Sequence, residues 1–148
     1  MLAYDPMSNP LNRIEWMFGM LECVHITSFA AAVGLIGLVD FRLIGAGLTR
    51  HSPVRLSEDT TFWIMGGLIM AVTSGLMLFS TDPERYAVNP AFQLKVVCLI
   101  VAILFNYTGH RYAVRAESSR VLQGLAGGVS LVLWIAVIFG GLFYAFTA

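Results

Sequence analysis

The sequence predicts an all-α, polytopic membrane four-helix bundle, and three observations carry that prediction. Of 148 residues, 57 % are hydrophobic and 12 % are charged, about half the charged share of an ordinary soluble domain. The mean hydropathy is +0.75. The apolar residues gather into four runs, and most of the charge lies between them and near the N-terminus. A soluble globule would spread its charge over its whole surface. The net charge of zero lacks the basic footprint of a nucleic-acid binder, so no nucleic acid is expected as a partner.

The runs are about Trp16–Val39, Phe62–Phe79, Phe92 to Val114, and Val121–Phe146. A bilayer crossing takes about 20 apolar residues. Backbone groups in lipid must be satisfied within the segment, so each run is expected to be a helix. The start, Met1 to Pro10, is polar and lacks the basic opening of a secretory signal, so the first run is expected to stay as a span. The second and third spans are joined through Asp82-Pro83 and Asn89-Pro90, where Asn/Asp-Pro favours turn initiation. Pro90 falls where a helix start tolerates proline. The chain is thus expected to be one integral membrane domain. Gly34, Gly37, Gly66, Gly67, Gly127, Gly128, Gly140 and Gly141 stud the runs, and small residues let membrane helices approach closely. Cys23 and Cys98 lie inside apolar runs and are expected to behave as small hydrophobes.

Orientation follows from Lys and Arg in short loops. The first and third connections carry Arg42, Arg50, Arg55, Arg111, Arg115 and Arg120, against Arg13, Arg85 and Lys95 on the other side. The first set is expected in the cytoplasm of a bacterial cell, with the protein in the inner membrane and both termini outside.

Ionisable residues within spans are costly, about 2.5–3.5 kcal/mol on insertion scales, and mark functional sites by default. Glu22 and His25 sit one turn apart in the first run. At about 1.5 Å per residue, His25 lies roughly 13 Å below the outer boundary. Thr73, Ser74 and Lys95 fall in the same outer layer, on two further helices. On the third helix Lys95, Ala102, Asn106 and His110 share a sector of about 60°. Near the inner end, Asp40 and Arg42 are expected to form an interfacial ion pair, and His110 to be solvated beside Arg111. Lys95 can snorkel to the headgroups or pair with Glu22. His51 lies in a loop between Arg50 and Pro53 and is expected to have no role.

A neutral imidazole inside a helical bundle is a natural haem ligand, because cofactor sites form between facing helices. Phe18, Phe29, Met20, Met65, Met70, Met77 and Phe92 are expected to supply apolar surroundings. His110 is too far from His25 in depth to share one porphyrin with it.

Several strings of the chain carry a resemblance to known families. Glu22-Cys23-Val24-His25, Asp40-Phe41-Arg42-Leu43-Ile44-Gly45, Thr73-Ser74-Gly75-Leu76 and Asn89-Pro90-Ala91-Phe92-Gln93-Leu94-Lys95 resemble a group of uncharacterised bacterial four-helix inner-membrane proteins. More distantly, the arrangement is similar to the membrane-bound, haem-containing protoporphyrinogen oxidase family and the copper-resistance D family. The oxidase resemblance implies a haem ligand at His25 and a required lysine at Lys95, with His110 matching a further histidine. The chain departs from it in having Phe29-Ala30-Ala31-Ala32-Val33-Gly34 where that family has Trp-x-x-Gly. It also lacks the Met/His-rich external motif of copper carriers.

The resulting expectation is a haem b protein acting in electron transfer or small-substrate oxidation near the outer half of the bilayer. His25 would be the metal ligand, with Glu22, Lys95, Thr73 and Ser74 around the cofactor. A quinone or another redox protein would be the partner, and a homo-oligomer or one subunit of a membrane complex is the expected assembly. The rival expectation is a cofactor-free accessory subunit.

Overall fold

All four apolar runs are helices in the computed structural model, and each helix outlasts its run because polar flanking residues continue it. The structure describes residues 5–48, 50–115 and 119–147. Two short 3₁₀ turns, Pro6–Ser8 and Pro10–Arg13, precede helix α1, Glu15–Ile44. Helix α2 spans Pro53–Thr81, so the second span begins well before Phe62. A short helix α3, Pro83–Val88, fills the connection to α4, Pro90–Phe105. Helix α4 runs on through a π-helical turn, Asn106–His110, into α5, Arg111–Arg115. Helix α6, Arg120–Thr147, closes the chain. The four helices long and apolar enough to cross a membrane are Glu15–Ile44, Pro53–Thr81, Pro90–Arg115 and Arg120–Thr147.

Local chemistry sets the helix ends. Proline opens α2, α3 and α4, at the position where its missing N–H costs nothing. Asn89 Oδ1 accepts from the N–H groups of Ala91 at 2.9 Å and Phe92 at 3.3 Å, and Asp82 Oδ1 accepts from Arg85 N–H at 3.3 Å. The two Asn/Asp-Pro pairs are thus N-caps. At the end of α1, Gly45 adopts φ 84°, a left-handed conformation open to glycine. Its N–H bonds the Arg42 carbonyl, and Ala46 N–H bonds Phe41 at 3.0 Å. That double closure stops the helix before the first loop. At 30 residues, α1 is about 45 Å long, enough for the hydrocarbon core and both headgroup layers.

Packing follows small residues. Helix α1 packs on α2 and α6, and α4 packs on α6, while α2 and α4 make little close backbone contact among the described residues. A Cβ on Gly67 would lie 3.0 Å from Ala32 Cβ and from the Ser28 carbonyl, and one on Gly127 would lie 2.8 Å from the Asp40 carbonyl. These glycines mark helix crossings, whereas Gly34, Gly37, Gly66 and Gly128 face open space. The core is a column of Ala32, Ile36, Ile64, Leu68, Ala102, Trp134 and Val137. Outside it the spans present Trp63, Ile69, Val97, Leu104 and Val132 on their exposed faces. Apolar surface over all four helices suits a lipid solvent, as expected of a multi-pass membrane protein. Cys23 is exposed and Cys98 half-buried, both as free thiols.

Candidate functional site

His25 leaves α1 half-buried and reaches between α2 and α4, the two helices that barely touch. Its Nδ1 lies 2.8 Å from the Ala71 carbonyl oxygen on α2. A carbonyl can only accept, so Nδ1 carries the proton and Nε2 carries the lone pair. Nε2 faces Lys95 Nζ of α4 at 3.4 Å. Ser74 Oγ lies 3.4 Å from Nδ1 but donates its proton to the Met70 carbonyl at 2.7 Å.

Glycines make room for both bases. A Cβ on Gly75 would come within 2.9 Å of His25 Cε1, so the imidazole lies directly on the α2 backbone. A Cβ on Gly140 would lie 3.0 Å from Lys95 Cβ, and Gly141 stands 3.4 Å from its Nζ in the same sense. Towards the core, Phe29 lies nearly parallel to the His25 ring, with centroids 6.4 Å apart, and tilts against Trp134. Beyond Lys95, Phe79, Tyr86, Phe92 and Tyr144 form an aromatic cluster in which Tyr86 and Tyr144 stack at 4.7 Å. Burial within that cluster pushes the Tyr86 phenol well above its ordinary range, aided by Tyr144.

Of the expected outer layer, the structure brings together His25, Lys95 and Ser74. Glu22 is exposed one turn from His25, and no Glu22–Lys95 salt bridge forms among the described residues; Lys95 turns to His25 instead. Thr73 is exposed while Ser74 is buried, because consecutive helical residues point about 100° apart and only one can face the imidazole. The expected methionine lining is also corrected. Met20, Met65, Met70 and Met77 are exposed on outer faces, and glycine and aromatic groups surround His25 in their place.

A second polar cluster sits at the opposite end of the bundle. His110 Nε2 lies 2.7 Å from Asp40 Oδ1, with His110 5 % and Asp40 0 % exposed. The expected solvated His110 is therefore buried, and the expected Asp40–Arg42 pair is replaced. Arg42 Nε donates to the His51 carbonyl at 2.6 Å and fixes the first loop. Residues two apart on a helix do not face each other, which is why Asp40 turns inward and Arg42 outward. Asp40 Oδ2 and Ser130 Oγ are buried without a full hydrogen bond, although Ser130 is close enough to the carboxylate to interact with it. His110 closes the π-helical turn, a local widening frequent at functional sites.

Comparisons of the chain with protein-family models, with curated proteins and with solved structures return no match.

His25 has the donor atom and tautomer of a metal ligand, with Lys95 Nζ 3.4 Å from its unprotonated nitrogen. A ligating histidine normally donates its second N–H to a carbonyl or carboxylate, which fixes the ring and raises the basicity of the other nitrogen; His25 does this through Ala71. No group of three or more His, Cys, Asp or Glu gathers among the described residues.

Proposed function

We propose that this protein is an integral membrane haem b protein in which His25 Nε2 is an iron ligand. The single observation that carries the reading is the Nδ1–Ala71 hydrogen bond, because it leaves Nε2 as a lone pair held in one direction between two loosely packed helices. Haem, when bound, supplies one-electron chemistry. Here that chemistry serves electron transfer or oxidation of a small substrate near the outer half of the bilayer.

The chain's own residues have distinct tasks in this reading. Ala71 orients the imidazole, Gly75 lets it rest against α2, and Lys95 offers a cation to a propionate. Phe29 shields the site from the core side. Ser74 borders the imidazole, while Glu22 and Thr73 line the approach from their exposed positions. The membrane is the bacterial inner membrane, with the first and third connections in the cytoplasm and both termini outside, as the arginine distribution supports. A quinone or a second redox protein exchanges electrons with it. A homo-oligomer or a larger complex fits the absence of any sizeable extramembrane part among the described residues.

One observation favours a second reading, the cofactor-free accessory subunit: Lys95 Nζ already stands 3.4 Å from Nε2, so the two bases satisfy each other without a ligand. A visible spectrum of the detergent-purified protein, expressed with haem supplied, separates the two. A Soret band lost in His25→Ala and kept in a folded His51→Ala supports the haem reading. A colourless wild type supports the accessory subunit.

A further inference from the structure

We infer that the inner half of the bundle holds a binding site for the head group of a lipid-soluble quinone, in the cavity between α2 and α5. The cavity has a volume of about 160 Å³, close to the roughly 150 Å³ that accommodates one benzene ring. Val54 and Val114 form apolar sides, while Ser57, Glu58, Arg111 and Arg115 bring polar groups to it. A second, smaller cavity of about 30 Å³ shares Ser57, Thr61 and Arg111 with the first and continues to His110, Tyr107 and Asn106. It is large enough for a water and links the first cavity to the Asp40–His110 pair.

The chemistry of the lining selects the ligand class. A quinone presents two carbonyl oxygens, which accept from Arg111, Arg115 or the Ser57 hydroxyl. Its reduced form presents hydroxyls, which donate to the Glu58 carboxylate or to Thr61 Oγ, whose own proton is spent on the Ser57 carbonyl. One cavity thus satisfies both redox forms. A phosphate or other anion would meet the two arginines but also Glu58, and is disfavoured. At the far end of the small cavity lies the buried Asp40–His110 pair, which the haem reading leaves without a role. The π-helical turn presents Asn106, Tyr107 and His110 to that cavity together.

The inference rests on the quinone partner named in the proposed function and gives it a place, but it does not depend on haem at His25. Its test is photolabelling of the full-length protein in nanodiscs with a short-chain azidobenzoquinone, mapped by peptide mass spectrometry. Labelling should fall within residues 53–61 and 107–115, and excess unmodified short-chain quinone should compete it away. Ser57→Trp, which fills the cavity, should cut labelling about tenfold, or about 1.4 kcal/mol of binding. Arg111→Gln should cut it less, and it serves should Ser57→Trp fail to fold. His25→Ala should label like the wild type, so loss of the Soret band with retained labelling leaves this site standing while removing the haem. Labelling spread over lipid-facing positions such as Val129 and Val132, or left unchanged by excess quinone or by both variants, would overturn the inference.

Discussion

The two ends of the bundle hold histidines of opposite kinds. At one end, His110 meets an acid at 2.7 Å, and both groups are almost wholly buried. At the other, His25 meets a second base at 3.4 Å, half-buried, with its own proton committed to a backbone carbonyl. An acid–base pair in a low dielectric is self-sufficient: each partner offsets the other's desolvation. Two bases facing each other share a single lone pair, so theirs is a contact without an ion pair. The same residue type thus serves as a lock in one place and, on the proposed haem reading, as a metal donor in the other.

The comparison breaks most visibly at the lock. Removing one partner of a buried pair typically costs about 3–5 kcal/mol, since the other is left uncompensated. Asp40→Ala and His110→Ala should each lower stability on that scale in denaturant or thermal unfolding in detergent. The double variant should lose clearly less than the sum of the two. Fully additive losses would show that the pair is not coupled.

Next in size are the glycines beneath each cluster. Gly127→Ala presses on the Asp40 carbonyl, and overpacking of this kind costs about 1–3 kcal/mol. Gly75→Ala presses on the His25 ring and should displace it, with a larger effect on cofactor retention than on the melting temperature. Gly128→Ala faces open space and should do neither. Equal effects at Gly127 and Gly128 would contradict the crossing geometry.

Lys95→Met should be milder. Lys95 has no acidic partner among the described residues, so its contact with His25 is a hydrogen bond worth about 0.5–1.5 kcal/mol, and the change should shift stability by no more than that. Retention of haem should fall instead, for want of the cation. A loss of several kcal/mol would restore a Glu22–Lys95 pair.

The smallest effect concerns Tyr86. Its pKa is raised by burial above the ordinary phenol value, so the folded state favours the neutral form. That stability is present below the unfolded value of about 10 and is lost as pH rises beyond it. Tyr86→Phe should flatten the alkaline fall in melting temperature between about pH 10 and 11.5. An unchanged profile would show that the phenol is not buried as described.

Much of the outer site was legible in the chain, and the inner site was largely hidden. Hydropathy alone marks four spans, because a helix in lipid needs only length and apolar content. Helical periodicity put Lys95 in one sector with Asn106 and His110, and depth put it in the same half of the bundle as His25, but neither chose between the headgroups and a partner inside. Periodicity did not choose between Thr73 and Ser74, since that depends on how α2 is rotated against α1. The Ala71 carbonyl carries no side-chain signal, and Gly75 differs from the other glycines only through what packs on it. Asp40 and His110 stand 70 residues apart, so nothing local pairs them, and the nearby Arg42 offers a misleading partner. The third helix also widens at Asn106, where 100° per residue stops holding. The cavity between α2 and α5 needed the fold to appear, because its lining comes from two distant segments.

The most direct test is the visible spectrum of purified wild type beside His25→Ala and a folded inner-end variant such as Asp40→Asn with His110→Gln. The expected result is a Soret band in the wild type, its loss in His25→Ala at an unchanged helical content, and its persistence in the inner-end variant. Haem retained by His25→Ala and lost from the inner-end variant would contradict the assignment of the metal donor to the outer histidine.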